Sequence, residues 1–323
     1  MKRRLDESHI ERTKIVEKLS INYAGFRGEQ SIEYYLSLID NKTNRILHDI
    51  RLQGINNCYF QIDYLIVSQK YCIIMEVKHI KGTLYFDRKF NQLLRIDDSS
   101  KETGFPDPIL QVNRQKSQLQ YFLRKHNLSN VPVIPLVIIS YPSTIIKATT
   151  DHKDVSQVVK HSGVLPSKLE SLERKYRRET LTKTEFNKLL RIIRKHSTVH
   201  LPNVLNTYNV SKSDILTGVY CPFCQKIPMK KIRSYWSCTK CNSVSKNAYL
   251  LSLIDFALLI NPVITNKDCR EFLHINSVAT TSRLLQSLNV ETKGTYKDRK
   301  YILEISKLKE SIRNTDLEVY LSN

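Results

Sequence analysis

Between Ile46 and Phe86 the apolar residues fall into short runs bounded by polar turns, a pattern of strands rather than long helices. The runs Ile46–Leu52, Phe60–Val67, Tyr71–Val77 and Thr83–Phe86 predict strands, and the branched run Val133–Ile139 predicts a buried one. Helical spacing appears in Gly28–Ile39 and again in Ile109–Arg124, where Ile109, Val112, Leu119, Phe122 and Leu123 are apolar. Gly104, Pro106 and Pro108 mark the stretch before the second helix as loop. Strands mixed with helices predict an α/β or α+β domain over 21–150. Polar, helix-compatible residues 1–20 precede it as an N-terminal helical extension. After it come a basic helical linker at 151–215, a cysteine-bearing segment at 216–247 and a helical domain at 248–323. No repeat at a solenoid period is visible.

A chain of 323 residues with 41% hydrophobic and 25% charged residues is ordinary globular material, which excludes global disorder. No apolar run approaches the roughly 18 residues that span a bilayer, and no secretory signal follows the first residues. A cytoplasmic protein is expected. The 51 Lys and Arg against 31 Asp and Glu leave a formal charge of +20. That surplus favours a polyanionic partner, nucleic acid or an anionic membrane surface, over an incidentally basic chain. Window 168–195 alone holds ten Lys and Arg against four Glu, on either a solvated helical face or a phosphate-facing one. Seven cysteines, four of them in two C-x2-C pairs, argue for metal binding and free thiols rather than disulfides.

The segment FQIDYLIVSQKYCIIMEVK at 60–78 concentrates the candidate chemistry. Residues two apart on a strand share a face, so Glu76 and Lys78 point the same way. A turn centred between Gln69 and Lys70 sets Asp63 opposite Glu76, and directly opposed side chains share a face. Two carboxylates held together repel unless a cation lies between them, and oxygen ligands suit Mg²⁺ or Mn²⁺. Such an ion can activate water and stabilise charge on a phosphate, with Lys78 orienting the water or neutralising the transition state. On an exposed strand face the same residues would form an ordinary salt bridge. His79 is expected on the opposite side of the strand, in a structural or surface role. Gln115, one turn after Gln111, is either solvated or a support for the site.

GFRGEQSIEYYL at 25–36, QIDYLIV at 61–67, MEVKHIKGTL at 75–84 and PILQ at 108–111 resemble the NERD family, the nuclease-related domain of the PD-(D/E)XK nuclease superfamily. The resemblance covers about residues 20–145. It implies a mixed sheet flanked by helices and a metal-dependent phosphodiesterase centre. Asp63 and Glu76 are then metal ligands and Lys78 the catalytic lysine. Glu29 matches the family's additional acidic position, and Gln111 the glutamine at a helix start that supports the site. Ile62 stands where a proline often precedes the aspartate, a departure the family tolerates.

Cys221, Cys224, Cys238 and Cys241 form C-x2-C, thirteen residues, then C-x2-C, the spacing of a Cys₄ zinc ribbon. Four thiolates close the coordination sphere, so the zinc is expected to be structural. Lys226, Lys230, Lys231 and Arg233 lie beside Tyr235 and Trp236, which either stack on bases or pack the ribbon. Further on, Cys269, Phe272 and Leu273 mark one helix, and Val278, Leu284, Leu285 and Leu288 a second with Ser277 as its N-cap. A hairpin is expected after Val290. This looks like a helix-turn-helix, in a winged form if the hairpin is present, with Thr280, Thr281 and Arg283 toward a major groove and Lys293, Lys297, Arg299 and Lys300 on phosphates. A plain helical bundle fits the same pattern.

Together these features predict a Mg²⁺- or Mn²⁺-dependent nuclease with a structural Zn²⁺, acting on nucleic acid, with DNA favoured and no membrane role. Cutting both strands would call for a homodimer or two sequential nicks. The alternative is a non-catalytic DNA-binding or regulatory protein on a nuclease-like scaffold.

Overall fold

The computed structural model describes residues 1–40, 43–149, 153–199, 202–313, 315 and 317. The chain divides into two compact units, Ser20–His200 and Met1–Leu19 with Leu201–Asn323.

In the first unit, helix α1 (Arg12–Ser37, here from Ser20) precedes strands β1 (Asn44–Gln53), β2 (Tyr59–Ser68), β3 (Cys72–Lys78), β4 (Thr83–Asp87), β5 (Gln92–Ile96) and β6 (Glu102–Pro106). Helix α2 (Pro108–Lys125), β7 (Val133–Ile139), β8 (Ile145–Ala148), α3 (Lys153–Val158), β9 (Val159–His161), α4 (Leu165–Lys175) and α5 (Lys183–His196) follow. A five-stranded sheet runs β1-β2-β3-β7-β9. It is antiparallel from β1 to β3 and parallel from β3 to β9, a mixed sheet. A second sheet, β6-β5-β4-β8, branches after β3.

Alternation along the strands gives the first sheet two apolar faces. On one, Leu65, Val67, Cys72, Ile74, Val137 and Ile139 pack under α2 and α5. On the other, Tyr64, Ile66, Ile73, Met75, Leu136 and Ile138 pack under α1 and α4. Helix α1 buries Gly28, Ile32 and Leu36, one residue per turn. Helix α5 opens with a capping box between Thr182 and Glu185 and buries Phe186, Leu189, Leu190 and Ile193. Lys183, Lys188, Arg191, Arg194 and Lys195 of the same helix are exposed.

The stretch expected as loop contains β5 and β6 instead. Gly104 and Pro106 sit in β6, an outer strand paired on one side only, where a missing N–H breaks no ladder. The β2–β3 turn lacks glycine because Ser68 stands in for it. Its Oγ accepts from the Lys70 and Tyr71 N–H groups, closing the turn by side chain.

In the second unit come α6 (Val204–Thr207), a small sheet of β10 (Met229–Ile232), β11 (Tyr235–Cys238) and β12 (Val244–Ser245), and α7 (Ala248–Leu259). Then follow β13 (Val263–Thr265), α8 (Asn266–Leu273), α9 (Val278–Gln286), β14 (Thr292–Lys293), β15 (Lys300–Ile302) and α10 (Ile305–Arg313). The second small sheet runs β13-β15-β14. Helix α7 is buried nearly all round and carries one charge, Asp255, 5% exposed. Arg4 Nε meets Asp255 Oδ2 at 2.7 Å, and Arg3 Nη2 meets its Oδ1 at 2.7 Å. Arg4 is wholly buried and also donates to the Leu216 and Gly218 carbonyls. A buried guanidinium without its counter-charge is strongly unfavourable. Asp255→Ala is therefore expected to cost about 3–5 kcal/mol in urea unfolding, against under about 0.5 kcal/mol for Lys188→Ala on the exposed face of α5. Equal midpoints for the two variants would contradict the pairing.

Candidate active site and metal centre

The β2–β3 ladder pairs Tyr64 with Met75 and Leu65 with Ile74, so its continuation sets Asp63 against Glu76, the register the turn position predicts. There the strands part, and the Asp63 carboxylate fills the gap by accepting from the Val77 N–H at 2.9 Å. Glu76 lies on a central strand and is 3% exposed. Lys78 Nζ reaches Glu76 Oε1 at 2.7 Å, and Gln115 Nε2 reaches Oε2 at 2.8 Å. Lys78 also donates to Gln111 Oε1 at 3.2 Å. Asp63, Glu76, Lys78, Gln111 and Gln115 thus form one cluster on the α2 face.

Helix α2 is set for this by its start. Asp107 caps it, accepting from the Ile109 N–H, Pro108 occupies its first turn, and Arg88 pairs with Asp107. Gln111 and Gln115 then project from successive turns. Gln115 is buried and also donates to the Gln61 carbonyl at 2.9 Å, so one side chain ties α2 to both strands. Helical spacing from Gln111 is the signal that pointed to it.

Burial, and then the charge of Glu76, push the Asp63 carboxyl up to about 7, with the Val77 N–H opposing. Two hard carboxylates that burden each other in this way fit a divalent cation. Among the described residues no third His, Cys, Asp or Glu joins them closely, so water and phosphate oxygens would complete such an ion's shell.

Glu29 is not bonded into this cluster. Its Oε2 meets His48 Nε2 at 2.9 Å and its carbonyl accepts from the Tyr64 hydroxyl, while its charge still acts on Asp63. Helix α1 comes this close at Gly28, where an added Cβ would lie 2.2 Å from His79 Cβ. His79 faces α1, as strand alternation predicts, with Nδ1 3.0 Å from Ser140 Oγ.

In the second unit, the Sγ atoms of Cys221, Cys224, Cys238 and Cys241 all lie within 4.8 Å of one another. Cys221 and Cys241 are 3.7 Å apart, and Cys224 and Cys238 3.4 Å. A tetrahedron of sulfurs about 2.3 Å from a zinc ion has edges of about 3.8 Å, so the four are positioned to bind one metal ion. Of the other thiols, Cys72 and Cys269 are buried, and burial pushes each up to about 12.

Lys230 and Arg233 are exposed, and Lys231 lies 5.0 Å over the ring of Trp236. Trp236 itself is wholly buried in the ribbon core and does not stack on a base. Thr281 is a correction. It is wholly buried, its hydroxyl donating to the Ser277 carbonyl, because it shares the inward stripe of Leu284, Leu285 and Leu288. Arg283 is exposed and Arg299 half-buried, while the Lys297 side chain lies outside the described residues.

Removing the ion with a chelator, or substituting Cys238→Ser, is expected to loosen the ribbon and shift the emission of Trp236, the chain's one tryptophan, to the red. Unchanged emission after complete removal of the metal would contradict this.

Among the described residues no helix is long and apolar enough to cross a membrane. Residues 24–140 match the family model described as the nuclease-related domain, NERD. No curated protein and no solved structure matches the chain.

Proposed function

We propose, from the match of residues 24–140 to the nuclease-related domain model, that the protein is a metal-dependent nuclease hydrolysing phosphodiester bonds, with DNA as the favoured substrate. The observation that carries this is the meeting of Asp63, Glu76 and Lys78 from adjacent strands under Gln111 and Gln115.

Asp63 and Glu76 would hold Mg²⁺ or Mn²⁺, which supplies Lewis-acid charge at the phosphate and lowers the pKa of a bound water. Gln115 holds Glu76 in one orientation, so its free energy of positioning is met before substrate arrives. Lys78 keeps its ammonium within reach of the same place through Glu76 and Gln111, and would orient the attacking water and offset charge gathering on the phosphorane. Water attacks phosphorus and the P–O bond to the leaving sugar oxygen breaks, giving a phosphate monoester and an alcohol. Glu29 on the rim would bias the local field.

The Cys₄ set is read as a structural zinc ribbon, since four thiolates leave no open position. The order α7, β13, α8, α9 and the β14–β15 hairpin supports a winged helix-turn-helix. In that reading Arg283, Arg299 and Lys297, with Lys230, Lys231 and Arg233 of the ribbon, would add phosphate contacts.

With Mg²⁺ or Mn²⁺, the purified chain is expected to nick supercoiled plasmid. Asp63→Ala, Glu76→Ala and Lys78→Ala should each lower the rate by about 100-fold or more while DNA binding persists. Cleavage that survives these changes, or excess EDTA, would remove the assignment.

A further inference from the structure

The proposed centre poses an electrostatic difficulty for its own substrate. Glu29, Asp63 and Glu76 crowd the place a phosphodiester must reach. Asp49, which lies between the pairs His48–Tyr64 and Ile50–Ile62 and accepts from Gln61 Nε2 at 2.6 Å, adds a further negative charge beside His48. Tyr64 registers this field, its hydroxyl pushed up to about 12 by burial and by Glu33, Glu29 and Asp63. Lys78, the cation of the cluster, is already engaged with Glu76. Even with a divalent cation held by Asp63 and Glu76, the charges of Glu29 and Asp49 remain beside it, and a polyanion approaching that rim is repelled unless a further positive group meets it.

His48 occupies that position. It stands across β1 from Tyr64, next to Asp63 in the neighbouring strand. Its ring tilts against the Tyr64 ring at 4.6 Å, which limits its rotation. Nε2 is held by Glu29 at 2.9 Å, and among the described residues nothing bonds Nδ1. The side chain is 46% exposed. The hydrogen bond to Glu29 favours the imidazolium, as do the charges of Glu29, Asp49 and Asp63, against the opposing effect of burial.

We infer that His48, clamped by Glu29 and Tyr64, is a substrate-gripping residue whose Nδ1–H donates to a phosphate of the nucleic-acid strand beside the scissile bond. This rests on the nuclease reading and adds to it a contact that the Asp63–Glu76–Lys78 cluster does not provide. Glu29 then acts through His48, as a positioning residue that orients the ring and keeps it cationic. The arrangement also accounts for an acidic residue on α1 whose carboxylate pairs away from the other two.

The test is equilibrium binding of a fluorescein-labelled DNA duplex to the full chain by anisotropy, over a series of salt concentrations, in buffer with no added Mg²⁺ or Mn²⁺ and no chelator, so that metal-dependent cleavage does not run and the Cys₄ set keeps its ion. His48→Ala and the neutral His48→Gln should each weaken binding about 3- to 10-fold at low salt and reduce the salt slope by about one. His48→Arg should restore both, which a structural role would not allow. Unchanged affinity and slope in His48→Ala and His48→Gln, or a loss that His48→Arg fails to rescue in a folded protein, would overturn the inference. Wild-type protein that binds DNA with this His48-dependent slope yet never cuts plasmid in Mg²⁺ or Mn²⁺ would uphold the contact and refute the nuclease reading instead.

Discussion

A carboxylate in the middle of a central β-strand must be paired, or the strand cannot stay there. Glu76 is flanked by β2 on one side and β7 on the other and covered by α2. Removing such a charge from water costs several kcal/mol, and each of its oxygens therefore needs a donor. Lys78 satisfies one and Gln115 the other. Both donors follow from position, one two residues along the same strand, the other one turn into a helix with a fixed start. The capping of α2 by Asp107 and the hold of Arg88 on that cap are thus linked, through Gln115, to the state of a side chain on β3.

The two faces of the sheet carry different duties. Under α2 lies the compact group of Asp63, Glu76, Lys78 and the two glutamines, where charges are matched within hydrogen-bond distance. Toward α1 lie His48, Tyr64 and His79, with Glu29 reaching the strand end from the helix. The period of two along a strand separates these sets, and the end of the sheet brings them back into electrostatic range. Asp63 senses both, through Glu76 on one side and Glu29 on the other.

Much of this was legible in the chain. The strands from 46 to 77 and the strand at 133–139 follow from apolar run length, and the register of Asp63 against Glu76 follows from the turn position. The thiol spacing gave the Cys₄ cluster directly. Other features were hidden for physical reasons. β5 and β6 are short and bury little apolar surface, and Gly104 and Pro106 look like loop residues until an outer strand is allowed to hold them. Thr281 reads as a groove-facing hydroxyl only if its phase with Leu284, Leu285 and Leu288 is ignored. Trp236, set among lysines, fits either base stacking or packing of the ribbon by pattern alone, and it is the second that its burial bears out. His48 was invisible because its partners come from α1 and β2, and no local pattern announces a contact between residues 29 and 48.

Gly28 shows how far that contact depends on something absent. The helix backbone rests against His79 and Ser140 with no room for a methyl group. A larger residue there would wedge helix and sheet apart and draw Glu29 off the imidazole it holds. Accommodating it would require position 79 to give up its own Cβ, so position 28 can grow only where position 79 is also glycine.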